Sequence, residues 1–335
     1  MPPWVTRPTL EIDLSLPLAR RFDTVPRAAF SDARKLLTAV MRDLPPSARM
    51  LAYAVQLRTG NRFHREAAAL AHLAGVDWRD VILANISYDL VLASLGCSTV
   101  ALPTPTGPVL ARNMDWWPEE ILAQSSYLIR CGKRGELSFA HAGWPAAIGV
   151  VSGMSGRGFG VVLNAVSSPE GIDRTGYPVL LHLRRVLEDA VDFDQALMML
   201  SNQRLCAGAL FTLVGVKNEQ RVVIERTCRK SALRWPREGE PLVATNDYRM
   251  MPKGKSAGNL HETACGRYDA LCRHFGEHRS NTEVSDSRLL YALSDPQVIQ
   301  GITAQHVVIR PRMRQIGLWV PRRLVEVLPV EPAAS

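Results

Sequence analysis

The rhythm of apolar positions along this chain changes once, at residue 97. Before it, after an extended opening "TLEIDLSLPLARRF", apolar residues recur at helical spacing over Ala28–Met41 and Ala48–Leu57. The run "HREAAALAHLAG" consists of helix formers and stops at Gly75. Asp77 is placed to cap a further helix from Trp78 to about Leu95, which delivers the chain to Cys97. After Cys97 the spacing shortens to that of strands, expected at Ser98–Leu102, Val109–Arg112, Ser126–Cys131, Leu137–His141, Gly149–Ser152 and Phe159–Ala165. Helices are expected at Val179–Asp189 and Phe193–Asn202, then strands at Leu210–Val216, Arg221–Arg226 and Leu242–Thr245. Helices at Glu262–Phe275 and Ser287–Leu293 precede closing strands at Ala304–Arg310, Gln315–Val320 and Leu324–Leu328. Strands in blocks separated by helices predict an α+β fold, with stacked antiparallel sheets between helical layers.

Composition narrows the class. The chain has 335 residues, 47% of them hydrophobic and 21% charged, enough core for one large domain or two ordinary ones. It holds no apolar run long enough to span a membrane as a helix. The opening "MPPWVTR" lacks the apolar core of a signal peptide, so a cytoplasmic location is the expectation. The net charge of +8 comes from scattered basic residues, with small clusters only at Arg310–Arg314 and Arg322–Arg323. No nucleic-acid motif accompanies them, so nucleic acid is not expected as a partner. A solvated basic surface is the plain reading, and contact with an anionic membrane or micelle surface stays open. Six cysteines without C-x-x-C spacing argue against both a disulfide scaffold and a zinc site, and no metal is expected. Each thiol is then a small buried hydrophobe or a reactive group.

Cys97 stands out by its neighbours. Gly96 gives it an uncrowded peptide bond on its N-terminal side. The stretch "GCSTVALPTPTGPVLARNMDWW" reads as a hairpin that returns Arg112 and Asp115 toward the thiol. A nearby cation favours the nucleophilic thiolate, and a carboxylate can orient whatever group takes its proton. The base is not fixed by these residues: His141, His182, His274 or His306 could serve. Alternatively, cutting the Gly96–Cys97 bond would free an α-amine, whose ordinary pKa of about 7.7–8.0 suits the task.

The stretch "NISYDLVLASLGCSTVAL…GPVLARNMDWW" resembles the acid ceramidase and N-acylethanolamine-hydrolysing acid amidase family of N-terminal nucleophile (Ntn) cysteine hydrolases. More distantly it resembles bile salt hydrolase and penicillin V acylase, relatives in the choloylglycine hydrolase superfamily. Cys97-Ser98-Thr99, Gly107 and Arg112-Asn113-Met114-Asp115 carry the likeness. It extends to "GWPAAIGVVSGMSGRGFGVVLNA", pointing at Asn164, to "LVATND", pointing at Asn246, and to "CGRYDAL", pointing at Arg267.

The resemblance implies an αββα sandwich, self-cleavage between Gly96 and Cys97, a small helical N-terminal region 1–96 and a catalytic region 97–335 that remain associated. It implies Cys97 as nucleophile with its own α-amine as base. Asp115 would hold that amine, and Arg112 would favour thiolate. Asn246 and the backbone N–H of Asn164 would receive the oxyanion, and Arg267 would support the cluster. Trp116, Trp117 and Trp144 are candidates for lining an acyl pocket, with no cofactor needed. The expected reaction is hydrolysis of a linear amide of an N-acyl amine, with lipid amides first, through an acyl-thioester. The Gly-Cys junction is also that of acyltransferases related to penicillin biosynthesis, which keeps an acyltransferase or penicillin- or bile-salt-type acylase as the alternative. A non-catalytic protein docking through its basic surface is the alternative from another class.

Overall fold

Residues 2–42, 44–90, 96–253 and 262–326 are described by a computed structural model of the chain. Two short strands, β1 (Trp4–Thr6) and β2 (Thr9–Asp13), precede five helices. These are α1 (Arg27–Met41), α2 (Met50–Arg58), α3 (His64–Ala74), α4 (Trp78–Asn85) and α5 (Ser87–Leu90). The hairpin of β3 (Gly96–Leu102) and β4 (Val109–Asp115) follows, then α6 (Glu119–Gln124). Next come β5 (Tyr127–Lys133), β6 (Glu136–Gly143), β7 (Ser152–Ser155) and β8 (Phe159–Ala165). Helices α7 (Val179–Asp189) and α8 (Phe193–Asn202) lead to β9 (Ala209–Val214), β10 (Arg221–Arg226), β11 (Ser231–Arg234) and β12 (Leu242–Ala244). The chain continues through α9 (Ala264–Phe275), α10 (Asp286–Leu293), β13 (Thr303–Arg310) and β14 (Gln315–Pro321).

The strands form a six-stranded sheet in the order β1-β14-β13-β4-β3-β12 and an eight-stranded sheet in the order β11-β10-β9-β8-β7-β6-β5-β2. Pairing is antiparallel except between β2 and β5. Side chains alternate across each strand, and the central hairpin shows the result. Ala101 and Leu110 face the second sheet, packing with Met154, Val162 and Val307. Val100, Leu102, Val109 and Ala111 face the other way, under Leu271 of α9 and Leu290 and Leu293 of α10. The outer face of the larger sheet packs on α7, α8 and the N-terminal helices through Leu181, Leu187, Leu200, Leu37 and Leu70. Each fully buried leucine of this kind contributes roughly 1.5–3 kcal/mol. The result is the helix–sheet–sheet–helix sandwich that the sequence predicts.

Several expectations need correction. The helix expected from Trp78 to about Leu95 breaks at Ile86, and 91–95 lie outside the described residues. Asn85 causes the break by reaching out of the helix: its amide donates to Val81 O (2.7 Å) and Ala146 O (3.1 Å). Its carbonyl accepts from the backbone of Ile148 (2.7 Å) and Gly149 (2.8 Å). The same contact displaces the strand expected at Gly149–Ser152. The donors of Gly149 and Val150 are taken by Asn85 and by Leu180 O, so the strand begins only at Ser152. In place of the expected strand Leu324–Leu328, a single 3₁₀ turn spans Arg322–Leu324, and 327 and 328 lie outside the described residues. The sequence reading missed β1, β11 and α6, all of six residues or fewer.

Candidate active site

Cys97 lies one residue into β3, buried at 4% exposure, with its side chain between the sheets. The β3–β4 register sets Cys97 opposite Met114 and Thr99 opposite Arg112. Arg112 therefore reaches diagonally: Nη2 donates to Cys97 Sγ at 3.0 Å, and Nη1 donates to Ser152 Oγ of the second sheet at 2.8 Å. The guanidinium that contacts the thiol is itself fully buried. His141, His182 and His306 are buried and held neutral, each pushed down to about 3 by burial. Among the described residues no histidine hydrogen-bonds the thiol, so Arg112 is its polar partner.

A second cluster holds the backbone of Cys97. The Cys97 N–H donates to Asn246 Oδ1 at 3.0 Å. Arg267, reaching in from α9, donates through Nη1 to Cys97 O (2.6 Å) and Ser98 Oγ (3.0 Å), and through Nη2 to Asn246 Oδ1 (2.7 Å). Asp115 pairs in the ladder with Gly96, the residue on the other side of the Gly96–Cys97 bond. Its Oδ1 accepts from Thr303 at 2.6 Å. Among the described residues its buried Oδ2 has no hydrogen-bond partner, and it lies 4.0 Å from Arg267 Nη1. Burial raises the Asp115 pKa, opposed by Arg267, Thr303 and Arg112. Burial likewise lowers that of Arg267.

The candidates read from the sequence thus divide. Cys97, Arg112, Asn246, Arg267 and Asp115 converge on one peptide bond. Asn246 does so in an unforeseen sense: its amide donates to Ala165 O at 2.8 Å, while its carbonyl receives the Cys97 N–H. Asn164 ties the sheets together, accepting from Thr99 Oγ1 at 2.7 Å and donating to Ala244 O and Thr245 O at 3.1 and 3.0 Å. Thr303, Ser152 and Thr263, which accepts from Arg267 Nε at 3.1 Å, went unnoticed in the sequence. Lone hydroxyl residues far along the chain carry no local signal.

Beside the thiol is a cavity of about 10 Å³ lined by Tyr88, Gly96, Cys97, Arg112, Trp116, Leu163 and Ala165. That is room for one water. Trp116 also borders a larger, mainly apolar cavity of about 60 Å³, which Trp117 and Trp144 line too. Leu36, Leu37, Val40 and Ala84 from α1 and α4 form its other wall. The three tryptophans therefore share one cavity, between the N-terminal helices and the residues after Cys97.

Comparison with known proteins decides the family. Residues 103–297 match the family model "Acyl-coenzyme A:6-aminopenicillanic acid acyl-transferase". The chain belongs to this family. It is also 24% identical over 186 residues to the N-acylethanolamine-hydrolyzing acid amidase of Caenorhabditis elegans, covering 51% of this chain and 52% of that protein. The chain thus matches about half the length of this curated relative. The structure of a Caenorhabditis elegans N-acylethanolamine-hydrolyzing acid amidase ortholog superposes with a TM-score of 0.54 at 21% identity, over 67% of this chain and 99% of that one. The sandwich is therefore the Ntn-hydrolase fold, and the resemblance read from "GCST…RNMD" stands.

Proposed function

We propose that this chain is the precursor of an Ntn cysteine amidase that activates itself by cutting before Cys97 and then hydrolyses linear amides of N-acyl amines. The observation that carries the reading is the 3.0 Å contact of Arg112 Nη2 with Cys97 Sγ, one residue after a glycyl peptide bond. In the cleavage, Sγ attacks the Gly96 carbonyl carbon. The C–N bond breaks, the departing nitrogen takes a proton, and a thioester joins Gly96 to Cys97. Water opens the thioester, leaving a carboxylate on Gly96 and restoring the thiol. The one-water cavity bordered by Gly96 and Cys97 supports this step. The new α-ammonium would complete the hydrogen bonding of Asp115 Oδ2 and, once deprotonated, act as base for its own thiol. With Gly96 released, the wall it forms beside the thiol opens for an acyl group. The Trp116-lined apolar cavity then favours an apolar acyl chain, as in a lipid amide.

The acyltransferase reading is favoured by one finding, the description of the matched family. It differs only in the acceptor, an amine in place of water, on the same acyl-thioester. Mass spectrometry of the purified protein tests the core of the proposal. The wild type should yield two pieces divided between Gly96 and Cys97, and Cys97→Ala should remain one chain. A wild type that stays intact under every acyl amide and pH tried, with no acylated Cys97, would refute it. Adding an amine acceptor then separates the two reactions by product.

A further inference from the structure

Three hairpin turns border a groove that Cys97 does not line: the β5–β6 turn with Lys133, the β7–β8 turn with Arg157 and the β13–β14 turn with Arg314. The groove encloses about 960 Å³, with residues from the start of α3 and from α7 on its opposite side. Seven cationic and four acidic side chains line it. Three of the acids are engaged by two of the arginines. Arg62 donates to Asp189 (2.6 Å) and Glu188 (2.7 Å), and the buried Arg184 donates to Glu188 (2.7 Å) and Glu66 (3.3 Å). Arg130 pairs with Glu11 at 3.0 Å. Lys133, Arg157 and Arg314 form no ion pair and no side-chain hydrogen bond among the described residues, and Glu136 is the one acid left facing them. Arg21, also on the wall, has a buried Nε without an acceptor among the described residues. Arg314 sits at a φ of 54°, where a turn ordinarily carries glycine or asparagine. The turn keeps a cation at a backbone position that disfavours it.

We propose that this groove binds an anion bearing a multiply ionised phosphate or polyphosphate group, held by Lys133, Arg157 and Arg314 with Arg21 behind them. Cations from separate turns converge on one concavity, which focuses positive potential and suits a ligand of two or more negative charges. Guanidinium forks match phosphate oxygens in pairs. The volume admits a ligand of nucleotide size. This site is independent of the chemistry at Cys97.

Calorimetric titration of the full chain with inorganic tripolyphosphate tests it. Saturable one-site binding that weakens with added salt is expected. Arg157→Ala with Arg314→Gly should weaken it by roughly tenfold to a hundredfold per lost charge-assisted bond. Glycine suits the left-handed backbone, so that variant removes the cation of Arg314 without strain. Removing the same charge elsewhere, with Arg27→Ala and Arg237→Ala, should leave binding unchanged. Co-sedimentation with phosphatidylcholine vesicles, plain or doped with phosphatidic acid, separates the sources. Selective pelleting with doped vesicles, lost in the groove variant, assigns a lipid headgroup. Tripolyphosphate binding without pelleting assigns a soluble ligand. Unsaturable binding, or equal binding by groove and control variants, would overturn the proposal.

Discussion

Arg112 is the residue whose replacement is most informative. It is fully buried, and its donors engage both Cys97 Sγ and Ser152 of the opposite sheet, so it joins the candidate nucleophile to the second sheet. Arg112→Gln should slow self-cleavage by roughly tenfold to a hundredfold, the worth of a lost charge-assisted bond. A time course of fragment appearance reads this, and alkylation of Cys97 at fixed pH should slow in parallel. Asp89 makes a prediction in pH. Burial pushes its carboxyl up to about 7, although it accepts from the Val179 N–H at the start of α7. In the unfolded chain the same group titrates near ~4. Between those values Asp89 holds a proton in the folded chain that it releases on unfolding, so its own contribution to stability falls as pH rises, against the opposite contribution of the buried neutral His141, His182 and His306. Asp89→Asn keeps the acceptor and removes the Asp89 contribution, so the gain in urea midpoint of the variant over the wild type should grow as pH rises across the window.

Among the elements, the turn after α3 tests the reading of a helix stop. Gly75 has a φ of 64° and closes α3 in the left-handed conformation expected from "HREAAALAHLAG". Arg34 packs where a β-carbon would go, donating to Ala74 O at 2.8 Å and Gly75 O at 3.2 Å. Gly75→Ala should cost about 1–2 kcal/mol from the backbone alone. Displacing Arg34 adds to that, and a lower Tm is the readout. This stop was legible because glycine after a helical run has a local meaning, as was the Asp77 cap, which accepts from Arg79 N at 2.9 Å. The break at Ile86 was not legible, because its cause lies about sixty residues away in the Ala146–Gly149 loop. The candidate site divides in the same way. "GCST" and "RNMD" are joined by one hairpin and were readable together. Thr303 and Ser152 enter the site only through sheet register and sheet packing.

For the whole molecule, the connectivity bears on what cleavage would do. The residues before Cys97 supply more than helices: β1 pairs with β14 in one sheet, and β2 pairs with β5 in the other. Leu36, Leu37 and Leu70 are buried in the main core beside Leu181 and Leu187 of α7. Cutting before Cys97 removes one covalent bond and none of these contacts. The two pieces should therefore co-elute on native size exclusion and part only in denaturant. Separation under native conditions would contradict this reading of the packing.

One edge of each sheet, β1 beside β14 and β2 beside β5, is taken by a strand of five residues or fewer from the leading segment. Were residues from Cys97 onward synthesised alone, β14 and β5 would become bare borders, each with a row of backbone donors and acceptors open to a neighbouring molecule. In the full chain the leading segment covers these borders, and the shortened chain should precipitate or fibrillate where the full one stays dispersed.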